Sequence, residues 1–192
     1  MNILNAKPEF DKNWTLFLDR DGVINVESVG SYITSWDEFT FHDGALEALR
    51  SLSRVFGHIV VVSNQRGVGR GIMTMETLRE INTNMRAAIT EYGGRIDKIY
   101  AATAVADDDR NRKPNIGMGL QAQEDLPSID FKRSVMIGNS LSDMEFGKRL
   151  SMYTVFLNTK HEPFSLPNDL IDEQYSSLYA WASRLIPAEV VG

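Results

Sequence analysis

The sequence predicts an α/β fold built on a mainly parallel sheet with helices on both faces. Three observations carry this expectation. First, short apolar or β-branched runs recur at Trp14–Leu18, His58–Ser63, Ser134–Gly138 and Tyr153–Leu157, with a weaker one at Ile99–Thr103. Second, stretches with helical spacing of apolar residues alternate with those runs, the pattern of parallel strands joined by crossovers. Third, polar groups cluster just past the strand ends, where open α/β sheets bind their ligands.

The elements follow in order. Residues 1–13 read as a loose polar lead-in to the first strand. Residues 22–42 have mixed polarity and no helical period. They read as a long loop, with Tyr32, Ile33 and Phe39–Phe41 forming a flap. In Gly44–Leu52, the residues Leu46, Leu49 and Leu52 join Val55 and Phe56 on one face, so the spacing predicts a helix with Asp43 as its N-cap. The glycine-rich Arg66–Gly71 stretch follows the second strand as a loop. A long amphipathic helix is expected over Thr74–Tyr92, capped by Thr74 and stopped by Gly93-Gly94.

Val105–Asn115 reads as a charged loop, since Pro114 forbids an ordinary helix interior. Helices are expected near Met118–Glu124 and over Ser142–Arg149. Leu170, Ile171, Tyr175, Leu178, Trp181 and Leu185 recur at helical spacing, so Asp169–Leu185 reads as a final helix docked on the sheet. No repeat, linker or low-complexity tract divides the chain, and 1–192 is expected to be one domain.

Composition narrows the function. The 192 residues are 43% hydrophobic and 24% charged, enough for a full core. A net charge of −6 argues against a nucleic-acid partner, which calls for a basic face. No apolar run is long enough to span a membrane, and MNILNAKPEFDKNW lacks the features of a signal peptide. A cytoplasmic location is expected, as a monomer or small homo-oligomer without a membrane partner. The chain has no cysteine, hence no disulfide and no thiolate zinc site. Against the acidic background, Arg66, Arg70, Arg110, Arg112 and Lys113 fall in two loop stretches, which points to a small anionic ligand.

The chemistry centres on DRDGVIN, Asp19 to Asn25. Two carboxylates emerge as the first strand ends, and Gly22 lets the chain turn away. The pair suits a nucleophile beside a proton donor and acceptor; the plainer reading is an acidic turn capping a helix. Ser63, Asn64 and Gln65 follow the second strand. Arg112, Lys113 and Pro114 precede the fourth, and Gly138, Asn139, Ser140 and Asp143 follow it. The set offers a carboxylate nucleophile, a hydroxyl for a phosphate oxygen, a cation, and hard oxygen ligands for a metal. Phosphoryl transfer needs those parts. Gly67-Val68-Gly69-Arg70-Gly71 fits neither nucleotide-loop pattern, so it reads as backbone shaping around a substrate group or as a plain turn.

DRDGVIN, SNQRGVGRG, RKPNIGM and IGNSLSDMEFG stand in one order over roughly Leu16–Leu157. In that order they resemble the haloacid dehalogenase superfamily of aspartate-nucleophile phosphatases. Within it, the chain is similar to the capless branch that holds the heptose 1,7-bisphosphate and histidinol-phosphate phosphatases. The resemblance implies a Rossmann-like three-layer sandwich without a large cap domain. It implies that Asp19 attacks phosphorus and that Asp21 serves as acid and then base, its main-chain carbonyl binding Mg²⁺. Ser63 and Lys113 would hold phosphoryl oxygens. Arg112 would recognise substrate, with Asn25, Tyr32, Asn64, Gln65, Arg66 and Arg70 as further contacts. Asp19, Asp21, Asn139 and Asp143 are the candidate Mg²⁺ ligands.

Two departures stand out. The branch usually carries a Cys/His zinc loop; here the matching positions read approximately Ala101, Thr103, Asp109 and Asn111, so no zinc is expected. Asp107-Asp108-Asp109 reads as a solvated acidic loop, with cation binding as the alternative. The usual metal-binding aspartate of the fourth motif is Asn139, whose amide oxygen is still a hard ligand. The expected function is a Mg²⁺-dependent phosphatase of a small phosphorylated metabolite, a sugar bisphosphate first and histidinol phosphate second. A polynucleotide 3′-phosphatase and a non-catalytic phospho-ligand-binding module are the alternatives.

Overall fold

The computed structural model describes residues 7–28, 30–160 and 168–185. Six parallel strands form one sheet in the order β3-β2-β1-β4-β5-β6. The strands are β1 (Thr15–Leu18), β2 (His58–Asn64), β3 (Lys98–Ala102), β4 (Ser134–Gly138), β5 (Tyr153–Leu157) and β6 (Glu173–Tyr175). The helices are α1 (Ala45–Val55), α2 (Arg66–Gly69), α3 (Met75–Glu91), α4 (Gly117–Asp125), α5 (Leu141–Arg149) and α6 (Leu178–Leu185).

Side chains alternate across a strand, so each strand feeds two cores. Leu16, Leu18, Val61, Ile137 and Val155 pack toward α1, α3 and α6. Phe17, Val62 and Met136 pack toward α4 and α5, against Met118, Ala122 and Phe146. The result is the expected three-layer α/β architecture. β1 lies between β2 and β4, and the winding reverses there. In such sheets, ligands sit at that reversal, beyond the carboxyl ends of the strands.

Several local expectations change. Gly44, in a left-handed conformation, is the N-cap of α1, so Asp43 does not cap it. Arg66–Gly69 closes into a single helical turn rather than an open loop. The 22–42 segment, described except for residue 29, is no free flap. Asn25 bridges Phe41, Trp36–Glu38 forms a 3₁₀ turn, and Ile33 and Phe39 are buried in the main core. In the lead-in, Phe10 packs edge-on against Trp14 and Trp181; residues 1–6 lie outside the described residues.

The tail also departs from the single helix expected. Glu173–Tyr175 adds a strand to the open edge of β5, and the helix begins only at Leu178. Ser177 explains the break: its hydroxyl accepts the Ala180 N–H, an N-cap contact that starts α6 there. An edge strand with unpaired backbone groups on the sheet outcompetes a helix at Tyr175. Among the described residues, no helix is long and apolar enough to cross a membrane.

Candidate active site

Asp19 leaves β1 with its N–H bonded to Ile137 O of β4, so its position follows from sheet register. Its Oδ1 lies 2.9 Å from Lys113 Nζ. The same ammonium donates to Val62 O at 2.7 Å and lies 2.6 Å from Asp143 Oδ1. Two of the three ammonium hydrogens go to Asp19 and Val62 O, while Asp143 Oδ1 lies in ion-pair contact without a hydrogen bond of its own. Lys113 and Asp143 are each 1% exposed and Asp19 13%.

Burial pushes Asp19 up to about 7, Lys113 pulls it down, and Asp143 and Asp21 raise it further. Burial alone would lower Lys113, but Asp143 and Asp19 more than offset this and hold it above its ordinary value.

The two Asp143 oxygens differ: Oδ2 is hydrogen-bonded, and Oδ1 makes an ion pair but no hydrogen bond. Oδ1 faces Lys113, and Oδ2 accepts the N–H and hydroxyl of Ser140 at the start of α5. That position needs a glycine beside it. A Cβ on Gly138 would fall 2.2 Å from the Asp143 Cβ. As a direct metal ligand, Asp143 would have to release one of these partners.

Asp21 is held from three sides. The Arg20 guanidinium reaches both its oxygens at 3.0 Å, Asn25 Nδ2 donates at 3.0 Å, and Gln65 Nε2 donates at 2.6 Å. Arg20 is fully buried and donates its remaining arm to Asn82 of α3. Sequence reasoning passed over Arg20; the signal available was a charged residue between two functional aspartates in a strand-end turn.

Three residues expected to touch substrate face inward instead. Gln65 spends its amide hydrogens on Asp21 and on Ser63 Oγ at 2.8 Å. Asn25 spends its own on Asp21 and Val26 O. Asn64 and Lys113 exchange side-chain-to-backbone bonds at 2.9 and 3.1 Å, which clasps the Lys113 segment to the end of β2. These amides thus find partners within the protein, as buried polar groups do.

Arg66 and Arg112 adjoin in sequence Gln65 and Lys113, whose side chains reach Asp21 and Asp19, and Arg70 follows α2; these residues are termed the mouth of the site. Arg70 donates to the Tyr32 hydroxyl at 3.0 Å, so the 22–42 segment meets α2 there. Arg66 and Arg112 both bond Asp107. Asp109 accepts the Asn111 N–H, so the three-aspartate run faces different partners. Among the described residues, no group of three or more His, Cys, Asp or Glu is arranged to hold a metal ion. A cleft of about 560 Å³ opens beside Gly22, between the Val26–Ser28 stretch and Thr159–Lys160.

Asn139 is 4% exposed. Its Nδ2 donates to Thr159 Oγ1 at 3.2 Å, and that hydroxyl gives its hydrogen to Gly22 O. The orientation of the amide follows: nitrogen toward Thr159, oxygen left as a hard donor. Gly22, at φ +83°, makes room, since a Cβ there would meet the Asn139 amide at 1.8 Å. The Asn139 amide oxygen, like the carboxylate and carbonyl oxygens of Asp19 and Asp21, is a hard donor of the kind Mg²⁺ takes.

A family model described as polynucleotide kinase 3 phosphatase matches residues 14–163. A Mycobacterium bovis D-glycero-alpha-D-manno-heptose-1,7-bisphosphate 7-phosphatase is 35% identical over 139 residues, covering 72% of this chain and 73% of the relative. The chain belongs to the haloacid dehalogenase superfamily of phosphatases. A Chlorobaculum tepidum D-glycero-D-manno-heptose-1,7-bisphosphate 7-phosphatase is 32% identical over 182 residues, 85% of this chain and 91% of the relative. The crystal structure of a B. bronchiseptica D,D-heptose 1,7-bisphosphate phosphatase, complexed with magnesium and phosphate, superposes with a TM-score of 0.78 at 25% identity. It covers 90% of this chain and 97% of that one. The chain is therefore a phosphoric monoester hydrolase of this superfamily.

Proposed function

We propose that this phosphatase removes one phosphate from a small sugar bisphosphate in the cytoplasm, with heptose 1,7-bisphosphate as the first substrate to test. The observation that carries the reading is the paired geometry of Asp19, held by Lys113, and Asp21, fixed two residues on by Arg20, Asn25 and Gln65. The substrate class rests on the named relatives and on the arginines at the mouth.

Asp19 attacks phosphorus, and the ester oxygen leaves with a proton from Asp21. Asp21, now ionised, takes a proton from the water that attacks the aspartyl-phosphate, which frees Asp19 and inorganic phosphate. Ser63, tethered through Gln65 to Asp21, would hold a phosphoryl oxygen. Lys113 neutralises the nucleophile, and Asp143 holds Lys113 in place. Mg²⁺ would be held by Asp19, the Asp21 main-chain carbonyl and the Asn139 amide oxygen. Bound there, it screens the repulsion between carboxylate and phosphate. Arg66, Arg70 and Arg112 face the far end of the substrate.

The test is phosphate release by the purified protein from a panel of phosphometabolites in Mg²⁺. Turnover of sugar bisphosphates above monophosphates is expected. A preference for 3′-phosphorylated oligonucleotides would favour the polynucleotide reading that the family model's name suggests. Release from no ester would leave a non-catalytic binding module.

A further inference from the structure

One carboxylate lies across two arginines at the mouth of the site. Arg66, in the single turn of α2, and Arg112, beside Lys113, both bond Oδ1 of Asp107, Arg112 through Nε at 3.3 Å. The arginine side chains are 20% and 19% exposed, that of Asp107 87%. The cations are set into the wall and the anion is laid on them from outside.

Donors outnumber acceptors here. Arg66 Nε is buried with no hydrogen-bond partner, although Asp107 sits on the same guanidinium. A phosphate group offers three acceptor oxygens and a charge of about −1.5 to −2 at neutral pH. It satisfies a two-arginine seat better than one carboxylate oxygen does.

The seat is next to the chemistry. Arg66 follows Gln65, which touches Asp21 and Ser63, and Arg112 precedes Lys113, which touches Asp19. Adjacent Cα atoms are about 3.8 Å apart, so each arginine stands one residue outside the reacting centre. Asn115 Nδ2 holds the Asp107 and Asp109 carbonyls at 3.4 and 2.9 Å. The backbone that carries Asp107 is thus tied down, and swinging its side chain aside takes no loop opening. The hydrogen bond from Arg66, with Arg112 adding, holds the Asp107 carboxyl below its ordinary range, so it is ionised at neutral pH.

We infer that Asp107 is a tethered competitor: its carboxylate occupies the Arg66–Arg112 seat until the non-reacting phosphate of a bisphosphate displaces it. The inference rests on the bisphosphate reading above. A substrate with only the reacting phosphate never contests the seat, so Asp107 tunes affinity for doubly phosphorylated substrates alone.

The experiment compares full-length wild type, Asp107→Asn and Asp108→Asn. The second variant removes the same formal charge from an exposed neighbour that makes no ion pair with Arg66 or Arg112 among the described residues. Calorimetry with fructose 1,6-bisphosphate in EDTA, where metal-dependent turnover stops, reads affinity. Initial rates in Mg²⁺ read KM for heptose 1,7-bisphosphate and for p-nitrophenyl phosphate. Asp107→Asn should tighten the bisphosphate Kd and KM by roughly three- to tenfold, the scale of one or two exposed ion pairs. It should leave p-nitrophenyl phosphate unchanged, and Asp108→Asn should change neither. Equal bisphosphate affinity in wild type and Asp107→Asn, or an Asp108→Asn effect of the same size, would overturn the inference. A wild type that turns over no ester refutes the proposed function, and calorimetry still decides the role of Asp107.

Discussion

The floor and the mouth of the site are mirror images in charge. At the floor, one ammonium, Lys113, stands between the carboxylates of Asp19 and Asp143. At the mouth, one carboxylate, Asp107, stands between the guanidiniums of Arg66 and Arg112. With Asp19 ionised, the floor has one surplus negative charge, and the mouth has one surplus positive charge. The former suits a metal cation and the latter a phosphate anion. Burial separates them further. At the floor Lys113 and Asp143 are almost fully buried, where an unpaired charge is costly, while Asp107 is open to solvent and screened. The same pairing is thus a structural commitment in one place and an exchangeable contact in the other.

The largest test of that contrast is Lys113→Met. It leaves Asp19 and Asp143 buried without a cation. A loss of about 3–5 kcal/mol in urea unfolding is expected, together with loss of turnover. A loss comparable to that of an exposed pair would erase the distinction between floor and mouth.

Asp19→Asn works in the other direction on stability. The ordinary value of an aspartate is 3.8, and Asp19 sits at about 7, chiefly through burial. Between those pH values the unfolded chain has released a proton that the folded chain keeps, so this group lowers stability as pH rises through the interval. The asparagine variant escapes that loss. It should be inactive yet more stable at pH 8 without metal, by on the order of 2 kcal/mol, with the gap narrowing toward pH 5. Urea melts in EDTA at several pH values provide the check, and a gap independent of pH would contradict the assignment.

Arg20→Lys keeps the charge and loses the fork that grips both oxygens of Asp21. A fall in kcat of roughly tenfold or more with KM nearly unchanged is expected, since a slightly misplaced proton donor slows chemistry more than binding. A KM effect alone would remove Arg20 from the positioning of Asp21. A gentler change at the floor is Asn139→Asp, which restores a carboxylate to the oxygen set. The Mg²⁺ concentration for half-maximal rate should fall several-fold, by about 1 kcal/mol of metal affinity. An unchanged or higher midpoint would exclude Asn139 as a ligand. The smallest effect belongs to the mouth. Arg70→Ala loses an exposed bond to Tyr32, so unfolding free energy should shift by less than about 0.5 kcal/mol. KM for a bisphosphate should rise about twofold; a kcat effect larger than that of Arg20→Lys would invert the ranking of floor and mouth.

Much of the fold was legible because its signals are local. The runs at Ser134–Gly138 and Tyr153–Leu157 became strands with those bounds, and Thr74 caps α3 through its side chain as read. The misreadings came where a distant partner overrides local spacing. Tyr175 has helical spacing to Leu178, yet β5 offers it an open edge. Asp43 has the chemistry of a cap, but the chain turns at Gly44 instead. Ile33 and Phe39 read as flap residues and are core, because the main core needed covering at that end of the sheet.

By itself, then, the order of residues determined the alternation of strands and helices, and which aspartates and cations gather at the strand ends, because periodicity and strand-end chemistry act over a few residues. Which group each of those residues serves was decided only by the folded sheet. Gln65 and Asn25 could face substrate or Asp21 with equal chemical sense. Register placed two strand ends within hydrogen-bond reach, and burial then required that every amide hydrogen find an acceptor inside the protein. Arg20 became the clamp on Asp21, and Asp107 the occupant of the arginine seat, for the same reason: charge finds its nearest partner in three dimensions, at separations that chain order does not encode.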